Sequence, residues 1–153
     1  MTRYEIHIPD GLADWIDRKM PGIGGVRTVK IQCCKVIPLE WFFGRASALT
    51  LWRTVSLRNT ICPIDPCNRT KVALLLHELV HVEQFRASPV WFPIKYLLNL
   101  FLRGYWYHPA EVEARIRAHD LIESYTIEDP CHCAEATAKL AAEVLEIIRA
   151  IAT

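Results

Sequence analysis

The side chains best suited to act together are His77, Glu78 and His81, within Val72-Ala-Leu-Leu-Leu-His-Glu-Leu-Val-His-Val82. On a helix, residues four apart stack on one face, so His77 and His81 can offer imidazoles to one cation. Glu78, one position on, can take a proton from a water held there. Two imidazoles and a carboxylate at this HExxH spacing can bind zinc and supply a general base. The flanking residues are apolar on all sides, which argues against a solvated surface face. A buried, unpaired carboxylate between two imidazoles is costly, and a metal ion removes most of that cost. The plainer reading is a pair of structural histidines.

Two histidines leave a zinc site incomplete, since catalytic zinc takes three protein ligands and a water. Downstream candidates are His108, Glu111, Glu113 and His119. Pro109 suits the first turn of a helix that ends near Tyr125. On that helix Glu111 shares a stripe with Ala114, Ala118, Leu121 and Ile122, which should face the protein. Glu113 points along Arg117 and Asp120 and can pair with Arg117 at i,i+4. Glu111 is thus the better ligand, and the two alanines let its helix approach the motif helix closely. A first-turn glutamate favoured by the helix dipole is the plainer reading. His108 is also a ligand candidate, but serves more readily as a cap or hydrogen-bond donor.

These residues need elements to place them. Tyr4, Ile6 and Ile8 alternate with polar residues, as in a short strand. Pro9 to Met20 reads as a helix with Leu12, Trp15 and Ile16 on one face, stopped by Pro21-Gly22. A strand follows from Val29 to about Val36. Leu49, Leu51, Val55 and Leu57 alternate with Thr50, Trp52, Thr54 and Ser56, which predicts one two-sided strand. After a Pro- and Asp-rich loop, Asn68 or Thr70 can cap the motif helix, which should run to about Arg86. Ser88-Pro89 breaks it. A second helix spans about Val90 to Leu102 and ends at Gly104. Tyr105-Trp-Tyr-His108 is an aromatic linker. A last helix, about Ala134 to Ala152, has Leu140, Val144, Ile147, Ile148 and Ile151 on one stripe. Strands come first, with one early helix, and then a helical half: an α+β order in a single domain over residues 1–153.

Hydrophobic residues make up 52% of the chain and charged residues 23%, which excludes a disordered protein. The net charge is +1 and no basic stripe dominates, so no nucleic-acid partner is expected. The first ten residues lack an apolar signal core, which makes the cytoplasm the default expectation. The segment from Val90 to Leu102 is shorter than the roughly 20 residues that cross a bilayer. A core helix or the wall of a cleft is the better reading for it. Membrane-surface contact through residues 90–102 is the lesser one. Six cysteines stand at Cys33, Cys34, Cys62, Cys67, Cys131 and Cys133. With no signal peptide they are expected as reduced thiols. A second metal at Cys131, His132 and Cys133 is a weaker idea. So much apolar surface on a small domain is compatible with a homodimer.

The block His77-Glu-Leu-Val-His-Val-Glu-Gln84, followed by Glu111-Val-Glu-Ala114, resembles a gluzincin, the zincin class with glutamate as third ligand. It also resembles small bacterial zincin-like domains of unassigned function. The matching residues cover about Val72 to Ala118. The resemblance implies a minimal zincin-like fold: a small N-terminal β-sheet, then a mainly helical half carrying the HExxH helix. It also implies zinc held by His77, His81 and Glu111. It puts the strand Leu49 to Leu57 along the cleft, where an extended peptide could add to its edge. One departure stands out. The aspartate that often follows the alanine, and orients a zinc histidine, is Arg115 here, so another acceptor must support His77 or His81 or the site is weakened.

The function implied is a zinc metallopeptidase acting on peptide or protein substrates. Zinc would lower the pKa of its bound water to about 7. Glu78 would take the proton and pass it to the leaving amine. Tyr105, Tyr107 and His108 are the linker's candidate donors to the oxyanion, with Tyr107 and His108 favoured because they immediately precede the third-ligand helix. Gln84, one turn beyond His81, could support a ligand or line the cleft. The alternative is a non-catalytic, zinc-stabilised zincin-like binding domain.

Overall fold

A computed structural model describes residues 3–37, 46–104 and 107–128. The strands are β1 (Arg3–Glu5), β2 (Lys30–Cys34), β3 (Ala48–Leu51) and β4 (Thr54–Arg58). The helices are α1 (Asp10–Lys19), α2 (Arg69–Ala87), α3 (Trp91–Arg103) and α4 (Pro109–Glu128), with two short 3-10 turns between α1 and β2. A small sheet is followed by a mainly helical half, so the fold is α+β. The helix expected over 134–152 and the Cys131-His132-Cys133 cluster lie outside the described residues.

The sheet is mixed, in the order β1-β2-β4-β3. β2 runs antiparallel to β1 and parallel to β4, and β3 runs antiparallel to β4. The single strand expected over Leu49 to Leu57 is therefore a hairpin. Leu51 pairs with Thr54, and Trp52 turns the chain at φ 53°. The alternation continues across the turn, and no Gly or Asn announces it. Periodicity alone could not show the break. Among the described residues, β3 is an edge strand of the sheet.

α1 turns Leu12, Ala13, Trp15 and Ile16 inward as its spacing requires. α2 is the central helix. The Asn68 side chain accepts from the Lys71 N–H at its start. Val72, Leu75, Leu76, Leu79, Val80, Val82 and Phe85 are all buried, so α2 is apolar nearly all round. A helix of that kind must be covered on several sides. The sheet, the first 3-10 turn and α4 pack against it, and one apolar core joins these with α1. α4 brings Ala110, Ala114 and Ala118 to the interior, and these small side chains allow a close approach to α2. The two helices are tied by Glu83 with Arg117, and at the far end by Arg69 with Glu123.

Of the two readings of residues 90–102, the structure has the cleft wall: no residue of α3 is buried, so it is not a core helix, and its inner side walls a cleft. Its apolar residues exceed what one contact face can cover. Cys33 and Cys62 form a disulfide, with Cα atoms 6.4 Å apart, and are not reduced thiols. β2 and the turn after β4 meet there, which spacing along the chain could not reveal. Among the described residues, no helix is long and apolar enough to cross a membrane.

Candidate metal centre

α2 presents His77 and His81 on one face, and α4 supplies Glu111 from the facing helix. His77 Nε2 and His81 Nε2 are 3.2 Å apart, with the rings nearly perpendicular. Glu111 Oε2 lies 3.3 Å from His77 Nε2, and Oε1 lies 3.3 Å from His81 Nε2. One donor atom from each residue falls within 4.8 Å of the others. His81 and Glu111 are buried and His77 is partly so. Glu111 Oε2 is buried yet accepts no hydrogen bond. A buried carboxylate oxygen without a donor, facing two imidazole nitrogens, is the local chemistry that a cation satisfies. His77, His81 and Glu111 could therefore hold a metal ion. The choice of Glu111 over Glu113 agrees with this geometry, since Glu113 is exposed and lies beside Arg117 at 3.8 Å.

The electrostatics follow from the packing. Burial alone would raise the Glu111 carboxyl. The imidazoles of His77 and His81 and the Tyr96 hydroxyl outweigh it and hold Glu111 well below the usual carboxylate range. Burial alone would lower His81. Its contact with Glu111 and the charges of Glu78 and Glu111 prevail and raise it.

Three neighbours hold the site in place. His81 Nδ1 lies 2.8 Å from Gln84 Oε1, so Nδ1–H donates and Nε2 is left as a ligand atom. The Gln84 amide in turn donates to Glu113 Oε2 at 2.9 Å and to the Ala110 carbonyl at 3.3 Å. Gln84 thus supplies the acceptor that Arg115 cannot. The Tyr96 hydroxyl donates to Glu111 Oε1 at 2.7 Å. The Thr50 hydroxyl donates to Glu78 Oε2 at 2.7 Å and fixes one of the two carboxylate oxygens. Glu78 itself is buried.

Sequence reasoning missed Thr50 and Tyr96. Thr50 looked like the polar phase of a strand, yet it is the buried residue of β3 because β3 lies against α2. Tyr96 looked like part of a greasy helix. Its hydroxyl among apolar neighbours, on the helix side shared with Phe92, was the available signal.

A cleft of about 820 Å³ opens over the site. Its walls include Leu49, Leu51 and Trp52 from the β3 edge, and Phe92 and Leu97 from α3. Arg115 and His119 also line it, and His119 stands apart from the ligand group. The two linker donors are placed differently. Tyr107 is 79% exposed and lines a separate hollow with Val112 and Ile116. His108 is buried, and both its ring nitrogens are engaged. Nε2 donates to the Tyr96 carbonyl at 3.0 Å, and Nδ1 accepts from the Ala110 N–H at 3.1 Å. Burial, its largest influence, lowers His108, in keeping with this neutral role. His108 caps α4 and stacks on Tyr96 at a ring separation of 4.1 Å.

No family model matches the chain, and no curated protein or solved structure matches it either.

Proposed function

We propose that this chain is a zinc-dependent metallopeptidase. The carrying observation is the convergence of His77, His81 and Glu111, beside a buried Glu78, at the floor of an apolar cleft. Two imidazoles and one carboxylate, with a further position left for water, make up a zinc donor set used in hydrolysis. Zinc bound there supplies Lewis acidity, which brings the pKa of a coordinated water toward about 7.

The chain's own groups do the rest. Glu78 is the proton acceptor, with Oε2 held by Thr50 and Oε1 the oxygen left to receive the proton. It then delivers that proton to the leaving amine. Gln84 fixes the tautomer of His81, and Tyr96 fixes the rotation of Glu111. Tyr96 also lines the cleft, but its single hydroxyl proton is committed to Glu111, so its role is to hold that carboxylate. The walls exclude water with Leu49, Leu51, Trp52, Phe85, Phe92 and Leu97, and suit peptides with apolar side chains. The β3 edge offers backbone groups to an extended peptide.

The test is metal content with peptide hydrolysis. Wild type and Glu113→Ala should carry about one zinc per chain, and Glu111→Ala should lose it. Glu78→Gln should keep the metal and lose hydrolysis by on the order of a thousandfold. Undiminished cleavage by Glu78→Gln would remove the mechanism.

A further inference from the structure

α3 is a helix of thirteen residues, none of them buried. Its inner side carries Phe92 and Tyr96, and Tyr96 reaches Glu111. At about 100° per residue, Phe101, Ile94, Leu98, Trp91 and Leu102 fall on one arc of about 100° pointing away from Tyr96. All five are exposed, with Phe101 at 81% and Leu102 at 73%. A water-facing arc of a short helix is normally polar, and an apolar one of this extent marks a contact surface.

The charges around the arc select the partner. From Arg86 to Ala110 the chain has no Asp or Glu. Lys95 borders the arc beside Leu102, and Arg103 ends the helix; both are exposed. Two copies joined through this face would bring only cations together, with no carboxylate on the helix to pair with them. An anionic surface with an apolar interior matches both features. Exposed Trp91 and Phe101, with Lys95 at the margin, make the composition of a helix that lies in a lipid interface. The helix is too short to cross one.

We propose that α3 docks on an anionic phospholipid surface, with its apolar arc in the headgroup–acyl boundary and Lys95 at the phosphates. The inner side of the same helix walls the cleft, so docking sets the cleft beside the lipid.

The experiment is cosedimentation of the full chain with phosphatidylcholine vesicles, with and without about 30% phosphatidylglycerol. Wild type should pellet with the anionic vesicles, less with the neutral ones, and less again as salt rises. Leu98→Glu/Phe101→Glu should weaken binding at least about tenfold, and Lys95→Glu should reduce the preference for anionic lipid. Because Lys95, Leu98 and Phe101 are exposed, circular dichroism and metal content should match wild type. Failure of wild type to pellet with anionic vesicles would overturn the proposal. So would equal binding by the Leu98/Phe101 variant, or a wild-type dimer that this variant splits while vesicles are ignored. The readout is partitioning, so its outcome is separate from whether the chain hydrolyses peptides.

Discussion

Gln84 shows how much one side chain can settle. It accepts from His81 and donates to Glu113 and the Ala110 carbonyl, so one amide orients the His81 ring and pins the start of α4. Gln84→Leu keeps a similar volume and removes both functions. It should weaken zinc binding about 10- to 100-fold, with helix content unchanged, in competition against a chromophoric chelator. Acidity acts on the same pair. The metal-free site raises His81 above its ordinary value, so a proton competes with the metal there. Zinc affinity should therefore fall steadily as pH drops from about 8 to about 6, measured by the same competition. The motif residues were legible because i,i+4 spacing fixes their common face whatever surrounds them. Glu111 was legible because its stripe includes Ala114 and Ala118. Thr50 and Tyr96 were not, because their roles depend on which strand and helix lie against α2, and no local spacing encodes that.

Helix α4 approaches α2 across alanines, and this sets where Glu111 ends up. Ala114 is fully buried one turn from Glu111. Ala114→Leu adds three carbons to a closed contact and should cost about 1–3 kcal/mol in urea unfolding. It should also push Glu111 away and lower metal occupancy, whereas Val112→Leu on the exposed side should change neither. The helix boundaries were close to legible, since Asn68, Ser88-Pro89, Gly104 and Pro109 are strong local signals. The hairpin was not. Its turn residue Trp52 adopts φ 53° without a glycine, and the polar–apolar rhythm passes through the turn unchanged. α3 misled for a different reason. Apolar content identifies a contact surface but does not say whether protein lies on both sides of it.

At the scale of the whole molecule, the disulfide and the central helix share the work of holding the sheet to the helical half. Cys33 sits on β2 and Cys62 ahead of α2, with a sequence separation of 29. Closing a loop of that size stabilises by about 3 kcal/mol through the unfolded chain. Thiol reduction, or Cys33→Ser with Cys62→Ser, should lower unfolding stability by about that amount. Zinc content at pH 7 should persist, because none of the ligands or their supports touches the bridge. The α+β order was legible from the succession of period-two and period-3.6 segments. The sheet order was not, because the parallel pairing of β2 with β4 joins segments whose patterns carry no mark of one another.

The parts of the site also have an order in time. Thr50 lies upstream of the two histidines, and Glu111 lies downstream. A chain emerging from its N-terminus makes Thr50 first, the two imidazoles next and the Glu111 carboxylate last. Until α4 has been synthesised and has closed on α2, a nascent chain carries only two members of the three-residue group. A fragment cut anywhere before Glu111 stays in that state. If the group binds a metal as proposed, the sequence order of its parts alone would keep the site from completion before the fold is finished.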